Sequence, residues 1–116
     1  MRSQVQESRF VPVVSGWTFL TNHTHVLLCI RQDPEIRLRD VAAQVGITER
    51  AAQAIVSDLE AEGYLTRERV GRRNHYELRA DVPLRHPLES QHTVGELLDL
   101  LAGPVGRRRG RAAGTG

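Results

Sequence analysis

The chain contains no lysine, so all 16 of its basic residues are arginine. Its 116 residues include only one cysteine, one tryptophan, two tyrosines and two phenylalanines. No apolar run approaches the roughly 20 residues of a membrane-spanning helix. Each scarcity excludes something. The single thiol, Cys29, cannot close an internal disulfide and fits a reducing compartment, so a cytoplasmic protein is expected. The N-terminus lacks the apolar core of a signal peptide, and no membrane partner is expected. Without a glycine-rich phosphate loop, a nucleophile elbow or a spaced cysteine pair, the chain does not read as an enzyme and calls for no cofactor. The lysine deficit says less, because alanine and glycine are also plentiful and GC-rich codon usage produces the same bias. The informative signal is where the arginines cluster.

A length of 116 residues, a formal net charge of +2 and a sequence pI near 9.3 describe one mildly basic domain with tails. Residues 1–16 have no helical period and read as a flexible N-terminal arm. Residues 103–116, "GPVGRRRGRAAGTG", read as a disordered Arg/Gly-rich tail whose charge run is expected to give non-specific help to binding. The ordered domain is expected over 17–102, and it holds no internal repeat.

Within it, "TNHTHVLLCIRQDP" offers Thr21 or Asn22 as an N-cap, an apolar face of Val26, Leu27 and Ile30, and a stop at Asp33 before Pro34. A short extended piece is expected at Ile36 to Leu38, then a helix of barely two turns from about Arg39 to Val45. Gly46 ends it by taking a left-handed conformation. Thr48 caps the next helix, and Glu49 places a negative charge at its positive end. Ala52, Ile55, Val56 and Leu59, three and four apart, form the apolar stripe of that helix, which closes at Gly63. Two helices joined by a tight glycine turn make a helix-turn-helix.

"YLTRERVGRRNHYELR" then reads as strand, turn and strand, with Leu65 opening the first strand and Tyr76 and Leu78 on one face of the second. A loop centred on Arg72 would set Arg67 opposite Glu77 and Arg69 opposite His75. "TVGELLDLLAG" adds a last helix, capped by Thr93, with Val94, Leu97, Leu98 and Leu101 on one stripe and Leu100 beside it.

From Leu38 to Leu78 the order is short helix, "VGIT" turn, second helix, "LEAEGYL" exit and basic hairpin. This stretch resembles the winged helix-turn-helix domains of bacterial transcriptional regulators, in the broad group that includes the MarR and ArsR types. The fold so implied is α+β and mainly helical: a three-helix core with a β-hairpin wing and an additional C-terminal helix. The function implied is sequence-specific binding of double-stranded DNA to regulate transcription. The recognition helix, about 48–62, would lie in the major groove, and the wing, about 64–78, on the minor groove or its phosphates. The terminal helices would make a homodimer; an effector is not indicated by any residue.

On that reading Arg50 and Gln53 are candidates for bidentate contacts to guanine and adenine, and Ala54 for a thymine methyl. Thr48 and Ser57 are candidate phosphate contacts. In the wing Arg72 and Arg73 come first, followed by Arg69, Asn74 and His75, because phosphates and narrow minor grooves attract guanidinium groups. Arg37 and Arg39 also stand where phosphates could be approached. Two alternatives differ in class: a winged helix that binds protein, which the charge of "RRNH" disfavours, and a metal-responsive ArsR-type repressor. The second would use His23, His25 and Cys29, but no cysteine lies on the first helix of the motif, and no metal site is assigned.

Overall fold

A computed structural model describes residues 17–103, so the N-terminal arm and all of the C-terminal tail after Gly103 lie outside the described residues. Three helices, a two-stranded antiparallel hairpin and a fourth helix follow in chain order: α1 (Asn22–Gln32), α2 (Leu38–Val45), α3 (Glu49–Ala61), β1 (Leu65–Val70), β2 (Arg73–Leu78) and α4 (Val94–Ala102). This is the winged helix-turn-helix fold. Among the described residues no helix is long and apolar enough to cross a membrane.

The helix boundaries follow from local chemistry. Thr21 caps α1 through its backbone position, without a side-chain bond, and the helix ends at Asp33 before Pro34. Gly46 closes α2 with φ +87°, and the Ile47 N–H reaches back five residues to the Ala42 carbonyl at 3.0 Å. That back-bonded stop aims the chain directly into α3. There the Thr48 hydroxyl oxygen accepts from the Ala51 N–H at 3.0 Å. At α4 the Thr93 hydroxyl accepts from the Glu96 N–H while the Glu96 carboxylate accepts from the Thr93 N–H, a reciprocal capping box. The second bond, together with nearby His92, holds the Glu96 carboxyl below the usual carboxylate range. The cap is therefore complete at neutral pH and weakens as pH falls through that lowered pKa.

One core unites these elements. Val26 and Ile30 of α1, Val41 of α2, Ala52 and Val56 of α3, and Val94 and Leu98 of α4 are buried together with Leu65 and Tyr76 of the hairpin. Each fully buried Leu, Ile or Val contributes roughly 1.5–3 kcal/mol. The three-and-four spacing of α3 thus meets the two-residue alternation of the hairpin inside one cluster.

The extended piece expected before the second helix is shorter than the sequence suggested. Leu38 already belongs to α2, and the backbone bond this connection makes to the wing comes from the turn just before the piece, where the Pro34 carbonyl accepts from the Tyr76 N–H at 2.8 Å. The hairpin register also differs by one residue. Arg67 faces Tyr76, Arg69 faces Asn74, Thr66 faces Glu77 and Glu68 faces His75, around a two-residue turn of Gly71 and Arg72. The reason lies in the core: the expected register would put Leu65 and Tyr76 on opposite faces, whereas the observed one turns both inward. Gly71, at φ +63°, supplies the left-handed residue that such a short turn demands.

Residues 79–93 carried no prediction from periodicity, yet they are tightly fixed. Pro83 bridges to Thr93, Val94 N–H bonds the Val82 carbonyl, and the Tyr64 hydroxyl donates to the Pro83 carbonyl at 2.7 Å. At the start of α4 the Gly95 N–H bonds the Ala80 carbonyl at 2.9 Å, and a Cβ on Gly95 would stand 2.7 Å from the Ala80 Cβ and 2.8 Å from its carbonyl oxygen. Gly95→Ala is therefore expected to cost about 1–3 kcal/mol through overpacking. Urea titration should show a lowered midpoint with an unchanged slope.

Candidate nucleic-acid interface

The α3 stripe of Ala52, Ile55, Val56 and Leu59 is buried, which leaves Glu49, Arg50, Gln53, Ala54 and Ser57 exposed on the other side. Thr48 is exposed too. Its oxygen accepts the capping bond, and its O–H proton remains available to donate outward. Gln53 Nε2 lies 3.5 Å from the Ser57 hydroxyl, one turn along the same exposed face.

The wing is held on two sides. On its inner face Arg67 pairs with Glu60 of α3, Nε to Oε2 at 3.0 Å and Nη2 to Oε1 at 3.2 Å, a two-point contact between α3 and β1. On the other side His75 stands 3.2 Å from Glu35, in the connection that enters α2. His75, one of the expected wing contacts, is thus engaged midway along the hairpin. At the tip Arg69 Nε donates to the Gly71 carbonyl at 3.3 Å, bracing the turn, while Arg72 is exposed. Arg73 and Asn74 are half-buried. Among the described side chains, Arg73 Nε is the buried donor left without an acceptor.

Residues 17–103 contain ten arginines against thirteen Asp and Glu, a formal charge of −3. How that charge is distributed decides what the domain can bind. Arg31 pairs with Asp99, Arg67 with Glu60 and Arg85 with Glu62. The other seven described arginines have no carboxylate partner among the described residues: Arg37 and Arg39 at the start of α2, Arg50 at the start of α3, Arg69, Arg72 and Arg73 in the wing, and Arg79 just beyond it. Six of these seven lie on the helix-turn-helix and the hairpin. Cations without an internal partner are the ones able to meet an external anion.

The residues weighed for metal binding go separate ways. His23 bonds Asp58 at 2.9 Å, His25 bonds Asn22 at 2.9 Å, and the Cys29 thiol donates to Gln44 Oε1 at 3.4 Å. Burial pushes the Cys29 thiol up, away from the thiolate a metal would need. Among the described residues no three His, Cys, Asp or Glu side chains gather as a metal-holding group.

A groove of about 520 Å³ is lined by none of the seven unpaired arginines. Leu27, Leu59, Leu84, Val94 and Leu97 form its apolar floor, and the His23–Asp58 and Arg85–Glu62 pairs stand at its edge. Sequence reasoning found neither this groove nor the Glu60–Arg67 contact. Both depend on where the 79–93 segment and β1 settle, and no local period encodes that.

Comparison with known proteins gives the class. A family model described as winged helix-turn-helix DNA-binding matches residues 20–66, the stretch from just before α1 to the second residue of β1. The stretch holding α1, α2 and α3 is thus similar to winged helix-turn-helix DNA-binding domains, in keeping with the fold, and the basic tip of the wing and α4 lie beyond the matched stretch. No curated protein and no solved structure matches the chain.

The Glu60–Arg67 pair, with side chains 24% and 34% exposed, is screened by solvent, so its loss should cost only about 0.5–1 kcal/mol. Its effect on motion should be more local. In Glu60→Ala, amide exchange is expected to speed up across β1 and β2 while α1 and α2 keep their protection.

Proposed function

We propose that this protein is a sequence-specific regulator of transcription that binds double-stranded DNA as a homodimer, in the manner of MarR- and ArsR-type proteins. The observation that carries the reading is the segregation of unpaired arginines onto the helix-turn-helix and the wing of a domain whose formal charge is negative. In this arrangement α3 enters the major groove. Arg50 and Gln53 read base edges, Ala54 meets a thymine methyl, and Thr48 and Ser57 hold phosphates. Arg72 and Arg73, with Arg69, Asn74 and His75 behind them, bring the wing to the minor groove or its phosphates.

The dimer reading rests on α4. Val94 and Leu98 are spent on the core, but Leu100 is 81% exposed and Leu101 45% exposed, which leaves an apolar edge available to a second copy. Two recognition helices about one DNA turn apart would read a palindromic site.

The test separates helix from wing. Arg50→Ala or Gln53→Ala is expected to cost about 1–3 kcal/mol on the best site and to relax preference at one base position. Arg72→Ala or Arg73→Ala should weaken binding on all sequences by similar factors and reduce the salt dependence. Each variant is titrated against a selected site and a scrambled one at two or more salt concentrations, with circular dichroism to confirm folding. Wing variants that bind like the parent would remove the wing from the interface. Absence of any salt-dependent duplex binding would favour a protein-binding winged helix instead. A strictly monomeric mass at micromolar concentration, unchanged by DNA, would count against the dimer.

A further inference from the structure

The carboxylates that outnumber arginine in the folded domain gather in part at one place, the rim of the 520 Å³ groove. Asp58 and Glu62 come from the end of α3, and Glu89 from the segment between β2 and α4. Against these three stands a single arginine, Arg85, so the rim carries a formal charge of −2 with His23 counted as neutral. Pairing does not cancel the excess. Arg85 meets Glu62 at 3.5 Å with 70% of its own side chain exposed, a loose contact, and Asp58 meets the His23 imidazole at 2.9 Å. Glu89 has no cationic partner among the described residues.

The rest of the lining is apolar. Leu27 of α1, Leu59 of α3 and Val94 of α4 are buried there, and Leu84 and Leu97 are half-buried. Tyr64 lines the groove as well, but its O–H is engaged by the Pro83 carbonyl at 2.7 Å and is not free for a ligand. Burial raises the Tyr64 pKa above its ordinary value; Arg85 pulls it down, and Glu62 and Glu89 push it further up. Both carboxylates therefore act on the same point of the groove wall. An apolar hollow of about 300–1,000 Å³ with a few convergent polar groups is the pattern of a small-molecule site. The uncompensated sign of those groups selects the charge of the occupant. An anion is repelled at this rim, and a neutral apolar molecule gains nothing from it.

We propose that this groove binds a small organic ammonium ion with an apolar body, the body against Leu27, Leu59 and Leu97 and the ammonium held by Asp58, Glu62 and Glu89. The site stands independently of the DNA-binding reading. Its walls come from α1, α3, α4 and residues 84–89, so an occupant bridges elements that are distant in the chain and stabilises the domain by binding only its folded form.

The probe is phenylbutylammonium, compared with phenylbutanol and phenylbutanoate, which keep the apolar body but are neutral and anionic. Each is titrated into the full chain and followed by amide chemical shifts, with the melting temperature as a second reading. The ammonium should move the amides of Leu27, Leu59, Glu62 and Leu97 and raise the melting temperature. The alcohol should bind about fivefold or more weakly, and the anion should not bind detectably, because exposed charge-assisted contacts are each modest but act together here. Replacing Glu62 and Glu89 together by glutamine keeps their size and should bring the affinity for the ammonium down to that for the alcohol. Ala61→Trp, at an exposed position on the α3 wall, should block all binding in the groove. Folding of each variant is read from the amides of α2 and the hairpin, which do not line the groove. Equal affinity for ammonium and alcohol, or an unchanged ammonium affinity in the double-glutamine variant, would overturn the charge assignment. Shifts centred elsewhere and insensitive to Ala61→Trp would overturn the site. Groove amides that move on dilution of the protein alone would give the groove to a second copy of the chain, and would overturn it equally.

Discussion

The register of the hairpin is the constraint on which the rest of this domain depends. With Gly71 and Arg72 alone forming the turn, Leu65 and Tyr76 share the inner face and join the helices in one core. Because side chains alternate along a strand, a slip of one residue would turn one of the two out to solvent. The same register sends Arg67 inward to Glu60 and His75 toward Glu35, and leaves Arg72 at the exposed tip. Packing of two apolar side chains thus decides which arginine braces the wing and which is offered outward.

Electrostatics builds on that frame. A domain with more carboxylates than arginines is a poor partner for a polyanion unless its charges are sorted. Ion pairing does the sorting. Arg31, Arg67 and Arg85 are each paired with a carboxylate from another part of the fold, and the described arginines left over fall at the starts of α2 and α3, in the wing and, at Arg79, just beyond it. None of the consumed pairs is worth much as stability in isolation, since each has an exposed partner. Their value lies in orientation: helix to strand at Glu60–Arg67, helix to helix at Arg31–Asp99. The orphan Nε of Arg73 shows the other side of this sorting, a donor in the wing that no group among the described residues satisfies.

Helix α4 belongs to both stories. Its capping box and the close approach of Gly95 to Ala80 fix its start, and Arg31 fixes its end. Between those points only Val94 and Leu98 are fully buried, so the helix covers the core with one edge and presents Leu100 and Leu101 with the other. A helix more apolar than its burial requires is the usual mark of a surface with further use.

Much of this was legible in the sequence. The α3 stripe, the Thr48 cap, the Gly46 stop and the Thr93 cap are all local events, governed by residues within five positions of each other, and short-range spacing is enough to reveal them. The exposed face of α3 follows from the same periodicity. What the sequence could not determine involves partners far apart in the chain: the one-residue shift of the hairpin, Glu60 with Arg67, His75 with Glu35, and Arg31 with Asp99 across 68 positions. The course of residues 79–93 and the groove they help to form belong with these. An arginine's local neighbours do not say which distant carboxylate will reach it, because that depends on how helices and hairpin pack once the apolar faces are joined. The sequence alone therefore determined which helices and strands form and which faces the helices bury, while tertiary packing decided the register of the hairpin, which charges are paired within the fold and which remain to meet a partner.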